Sequence, residues 1–126
     1  MFDLKKIING RMNVPEPERY VAGVDIVPGM ALTLSAGKLA KCTGATKPTH
    51  ISMGVAKNGA LCPVVAVEGN QHYDVELSAA PSEISEGDKV TIDGDSLRVT
   101  STKNGVATIV SLNGAAAVGD KITVKF

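Results

Sequence analysis

The chain has 126 residues, 44% of them hydrophobic, and thirteen basic residues balance thirteen acidic ones. That length favours one domain that buries roughly two-thirds of its unfolded surface. Zero net charge, Lys5-Lys6 as the longest basic run and only four aromatic rings argue against nucleic-acid binding and against an aromatic sugar platform.

With no Trp, two Tyr and two Phe, the core must be built from Val, Ile, Leu and Ala. Thirteen Gly and six Pro spread along the chain suit many short strands joined by tight turns. The opening MFDLKKIINGRMNV lacks the continuous apolar stretch of a signal peptide. No segment approaches the ~20 apolar residues of a membrane span, so no membrane partner is expected. Cys42 and Cys62 form no disulfide framework. The reading they favour is two buried free thiols in a protein made in the cytoplasm, with a single disulfide as the alternative.

Residues 1–19 differ from the rest. Phe2, Leu4, Ile7, Ile8 and Met12 are apolar among polar neighbours, at a spacing that fits neither helix nor strand, although Asp3 is placed to cap a short helix over 4–8. Pro15 and Pro17 then make NVPEPERY an extended connector. Burying six apolar side chains, these five and Val14, yields roughly 1.5–3 kcal/mol each. Ordering the segment costs on the order of 1–2 kcal/mol per residue. An arm without a fixed shape of its own is therefore expected, followed by a β-domain over 20–126.

From Tyr20 the text is β-like. YVAGVDIV leads to a Pro28-Gly29 turn, and MALTLSAGKLAKCTG reads as two strands around Ala36-Gly37. Asn58-Gly59 is the next tight hairpin turn, and VVAV (64–67) suits a strand covered on both faces. In HYDVEL, Tyr73, Val75 and Leu77 point one way and His72, Asp74 and Glu76 the other. Two further hairpins are expected at Asp93-Gly94 and Asn104-Gly105.

One phrase occurs twice. SEGDKVTI and AVGDKITV each place Gly-Asp-Lys before an apolar-Thr-apolar triplet, and PGMALTL is a looser third copy. Glycine accepts a positive φ, Asp bonds backbone amides, and the alternation starts a half-buried strand. Strands over 89–92 and 121–125 follow, with Val90, Ile92, Ile122 and Val124 inward and Thr91 and Thr123 more exposed. The predicted fold class is all-β, a small barrel or sandwich of short strands with an extended N-terminal arm.

Catalytic and metal signatures are not found. His50 follows Pro48-Thr49 and reads as a loop residue; His72 reads as an outward strand residue. No C-x-x-C or H-x-x-x-H pair marks a metal site. DGDS (93–96) lacks the spaced ligands of a calcium loop and reads as a polar turn. No enzyme and no cofactor are expected.

The segments VPGMALTLSAGKLAKCTGATKPTHISMGVA and ALCPVVAVEG, within residues 20–70, resemble the strand succession of tailed-phage head decoration proteins, the capsid cement family. The resemblance implies a mostly β fold and a homotrimer on the outside of a mature shell. It implies the major capsid protein as partner, with arm residues Phe2, Leu4, Ile7, Ile8 and Met12 on the shell, and a virion location after synthesis in the host cytoplasm. The alternatives are a β-barrel ligand- or carbohydrate-binding module of a cellular protein and another virion component such as a head fibre base.

Overall fold

The computed structural model describes residues 1–7 and 17–126. Its elements are all strands: β1 (Asp3–Ile7), β2 (Glu18–Ala22), β3 (Ala31–Ser35), β4 (Lys38–Lys41), β5 (His50–Ser52), β6 (Leu61–Ala66), β7 (Gln71–Glu76), β8 (Lys89–Ile92), β9 (Val99–Lys103), β10 (Ala107–Ser111) and β11 (Lys121–Lys125). They form a closed barrel, β2-β4-β3-β5-β6, and a six-stranded sheet in the order β1-β7-β11-β10-β8-β9. The all-β expectation therefore holds.

The repeated phrase launches β8 and β11. Gly87 and Gly119 sit at φ +91° and +90°, a conformation that side chains with a Cβ rarely adopt. Asp88 Oδ2 accepts the Ser85 amide at 2.9 Å, and Asp120 Oδ2 accepts those of Ala116 and Ala117 at 2.8 and 3.0 Å. These two amides hold the Asp120 carboxyl below its usual range. Val90, Ile92, Ile122 and Val124 are all buried.

Thr123 departs from expectation: it points away from the core yet is buried. Its hydroxyl donates to Asp74 Oδ1 at 2.7 Å and accepts from Asn113 Nδ2 at 3.0 Å, so neighbouring polar side chains cover it. The strand phase is right, but burial on that face is set by neighbours rather than by alternation.

Among the turns, Ala36 (φ +51°) and Gly37 (φ +77°) link β3 to β4 as a two-residue hairpin. Asp93-Gly94 opens the β8–β9 hairpin, where Asp95 Oδ2 holds Arg98 Nε at 2.7 Å. Asn58-Gly59 forms a turn closed by the Ala60 amide on the Lys57 carbonyl at 2.9 Å, but it lies within the longer 53–60 connection between β5 and β6. Asn104-Gly105 is not a hairpin. β9 and β10 do not pair with each other but flank β8 on opposite sides, so this turn carries the chain across β8. The Gly105 amide donates to the Lys89 carbonyl at 3.1 Å, and a Cβ on Gly105 would lie 2.0 Å from the Val90 carbonyl oxygen.

The core has two parts. Ala22, Ile26, Leu32, Leu39, Cys62 and Val64 fill the barrel. Between barrel and sheet, Ala31, Ile51 and Val65 from barrel strands meet Phe2, Tyr73, Val75, Ile122 and Val124 from the sheet side. Successive residues of one strand thus enter different cores: Leu32 and Ala31 on β3, Val64 and Val65 on β6. That is the physical sense of the continuous VVAV run. Tyr73, Val75 and Leu77 are fully buried, as their alternation predicted. Cys42 and Cys62 are buried, unpaired and in separate cores.

The N-terminus corrects the expectation of an arm without a place of its own, for residues 1–7. β1 is a strand rather than a capped helix, and it pairs antiparallel with the edge of β7, Leu4 opposite Tyr73 and Ile7 opposite Gln71. The edge of β7 offers backbone groups that β1 satisfies, and this pairing adds to the burial of apolar area. Phe2 anchors the segment: its ring is 2% exposed, 5.7 Å from that of Phe126, and its amide donates to the Gly29 carbonyl at 2.8 Å. Ile8, Met12 and the connector through residue 16 lie outside the described residues.

Three outcomes follow. Gly105→Ala should lower stability by about 2 kcal/mol or more, because backbone must move. Gly94→Ala, with open space around it, should stay within about 0.5 kcal/mol; urea midpoints compare the two. Phe2→Ala should cost about 3–5 kcal/mol, whereas Leu4→Ser, at an exposed position, should change the midpoint little. Burial pushes the Cys42 thiol up to about 11 and the Cys62 thiol upward as well. A thiol reagent should label neither native cysteine and both after denaturation without reductant.

Candidate interaction surface

The barrel's outer face follows from strand alternation. On β6, Cys62 and Val64 point into the barrel, so Leu61, Pro63 and Val65 point out. Ile51 opposes Val65 across the β5–β6 ladder, and Met53 donates its amide to the Pro63 carbonyl at 2.9 Å. β2 lies on the other side, with Val21 opposite Leu61. The sheet covers Val65 and Ile51. Beyond its edge the apolar face continues uncovered through Pro63 and Met53 to Leu61, which is 61% exposed.

Where β1 meets the barrel, this face runs into a cleft of about 250 Å³. Met1, Phe2, Leu4, Pro28, Met53 and Tyr73 are among its lining residues. Met1, Leu4 and Met53 remain exposed at the rim, and Val27 beside Pro28 is exposed too. Scattered exposed apolar residues are ordinary on a protein surface; a continuous strip that ends in a cleft is what makes this face the candidate interaction surface. The cleft is smaller than the ~300–1,000 Å³ of small-molecule sites. Two buried residues in its wall carry hydroxyls: Ser52 spends its own on the Val27 carbonyl and the Met30 amide, and Tyr73 donates its own to Gln71 Oε1.

Of the five residues expected on a shell, Leu4 lies in this surface and Ile7 ends β1 half-buried. Phe2 forms the cleft floor with its ring turned into the core. Ile8 and Met12 lie outside the described residues. Met53 and Leu61 were missed. Within HISMGVA and ALCPVV they look like core residues, and only the barrel's closure turns them outward.

His50 also departs from expectation. It begins β5 and is buried, with Nδ1 2.9 Å from Thr49 Oγ1 and Nε2 3.4 Å from Glu18 Oε2. The Tyr20 hydroxyl donates to Glu18 Oε2 at 2.5 Å and holds that carboxyl below its ordinary value, while the Tyr20 ring meets His50 edge-on at 5.2 Å. Thr49 Oγ1 is engaged by the Leu34 amide at 2.9 Å. Each group is occupied by its neighbours, so the cluster ties β2 to β5 and leaves no free nucleophile. Among the described residues, no three His, Cys, Asp or Glu side chains converge as metal ligands.

No protein-family model matches the sequence, and no curated protein is significantly similar to it. Among solved structures, the fold is similar to the crystal structure of the N base of head fiber gp8.5 in bacteriophage phi29. The TM-score is 0.65 at 16% identity, over 90% of this chain and 94% of that one. The two chains share a fold nearly from end to end.

Proposed function

We propose that this protein is a non-enzymatic structural component of a phage virion, held on the outer surface of the capsid by the major capsid protein. The observation that carries the reading is the end-to-end likeness to a head fibre base, at a TM-score of 0.65. The likeness spans 90% of this chain and 94% of that one, and the reading is an analogy at the level of the fold. The apolar strip from Leu61 to the Leu4 cleft supplies a surface suited to a protein partner. A homotrimer would present three such strips to one shell, and avidity would raise binding by orders of magnitude without a strong single contact. Within this reading the base of a head fibre is favoured over a cement protein, because the similar structure is a fibre base. A ligand- or carbohydrate-binding module fits less well, since the cleft is small and its buried hydroxyls are already bonded.

Mass spectrometry of purified virions of the encoding phage should find the protein, and light scattering of the isolated chain should give the mass of a trimer. Met53→Asp with Leu61→Asp should leave the circular dichroism unchanged and weaken binding to capsids by about a hundredfold. Absence from virions would overturn the reading. A rise in the shell's melting temperature on binding would favour the cement role over the fibre base.

A further inference from the structure

The outer face of the six-stranded sheet carries a row of cations that the apolar surface does not involve. Lys6 on β1 is the register partner of His72 on β7. Val124 pairs with Tyr73, which sets the next residue of β11, Lys125, beside the other flank of His72. Lys125 pairs with Thr108 on β10, and Thr108 pairs with Lys89 on β8. All point away from the core, because their strand neighbours Tyr73, Val124, Ile109 and Val90 point into it. Five adjacent strands thus form one rung, Lys6–His72–Lys125–Thr108–Lys89. It spans about 19 Å at the usual strand spacing.

A β-bulge between Leu4 and Lys6 adds to the row. It lets two consecutive residues of β1 reach the same face. Lys5 Nζ contacts Asp74 Oδ1 at 3.4 Å, and Lys5 and Lys6 both bear on His72. Burial, then Lys125, Lys6 and Lys5, hold the His72 imidazole below its usual value.

The three lysines stand on alternate strands, about 10 Å apart, with His72 and Thr108 between them. Among the described residues no carboxylate lies within ion-pair distance of Lys6, Lys89 or Lys125, and the nearby Asp74 is taken by Lys5 and Thr123. Lysines scattered for solubility have no reason to fall on one rung.

We propose that this rung is a docking surface for an acidic protein segment, an extended stretch of carboxylates lying across the strands. The partner class follows from the geometry. Flexible ammonium groups two strands apart, about 10 Å, can each meet a carboxylate of an extended chain laid across the strands. Among the rung residues the one aromatic ring is the half-buried His72 imidazole, so no row of rings offers successive bases of a nucleic-acid strand a stacking platform. The inference rests on this face alone and is independent of the virion reading.

The test uses the full chain, with fluorescent poly-L-glutamate as probe and oligothymidylate of matched charge as competitor class. Polyglutamate should bind, with an affinity that falls as salt screens the row. The triple variant Lys6→Gln, Lys89→Gln, Lys125→Gln should lose about tenfold or more in affinity. Lys38→Gln, Lys41→Gln, Lys47→Gln removes the same charge from exposed lysines outside the rung and should bind as the parent does. Circular dichroism checks that both variants fold. Failure of the parent to bind polyglutamate, or an equal loss in the two variants, overturns the proposal. Tighter binding of oligothymidylate than of polyglutamate overturns its partner class and assigns the row to nucleic acid.

Discussion

The fold depends on the double burial of three barrel strands. β3, β5 and β6 close the barrel with one set of side chains and receive the sheet with the other, through Ala31, Ile51 and Val65. A small barrel with few aromatics has a thin interior, filled here by Leu32, Leu39, Cys62 and Val64 among others. Burying a branched aliphatic side chain yields roughly 1.5–3 kcal/mol. The second layer of contacts on the outside of the same strands therefore joins barrel and sheet into one cooperative body. Where the sheet stops, the same outward alternation continues as Pro63 and Leu61, now facing solvent. The apolar strip is the uncovered remainder of a surface whose other part is core.

The N-terminal strand is placed by the same geometry. β7 would be an edge beside β11 if β1 were absent, with its backbone groups unpaired next to the junction of sheet and barrel. β1 fills that edge, and Phe2 fills the space between Tyr73, Phe126 and Gly29. Gly29 is required there for two reasons. It sits at φ +73°, and a Cβ on it would strike the Met1 side chain at 2.3 Å. Three of the four aromatics, Phe2, Tyr73 and Phe126, thus meet at one seam of the N-terminus, β7 and the C-terminus.

The two faces of the molecule divide the chemistry. The barrel side offers apolar surface suited to a protein contact. The outer sheet face is polar, with its acidic groups engaged and a row of lysines left over. Zero net charge conceals this separation, since a balanced total says nothing about where each sign lies. The buried thiols and the His50 cluster are absorbed by packing and local hydrogen bonds, so reactive residue types are present without a reactive arrangement.

Local chemistry was legible in the sequence wherever a short stretch determines its own shape. The glycines of the repeated phrase, the aspartates that bond nearby amides, and the alternation of Tyr73, Val75 and Leu77 require only neighbours in the chain. The tertiary structure decided what depends on distant partners. It placed Thr123 under Asn113 and against Asp74, made Asn104-Gly105 a crossing over β8, and turned Met53 and Leu61 outward. It also drew Phe2 inward and aligned Lys6, Lys125 and Lys89, which lie far apart in sequence. The reason is that a strand's period states which residues share a face, while only its pairing and layer decide what that face meets.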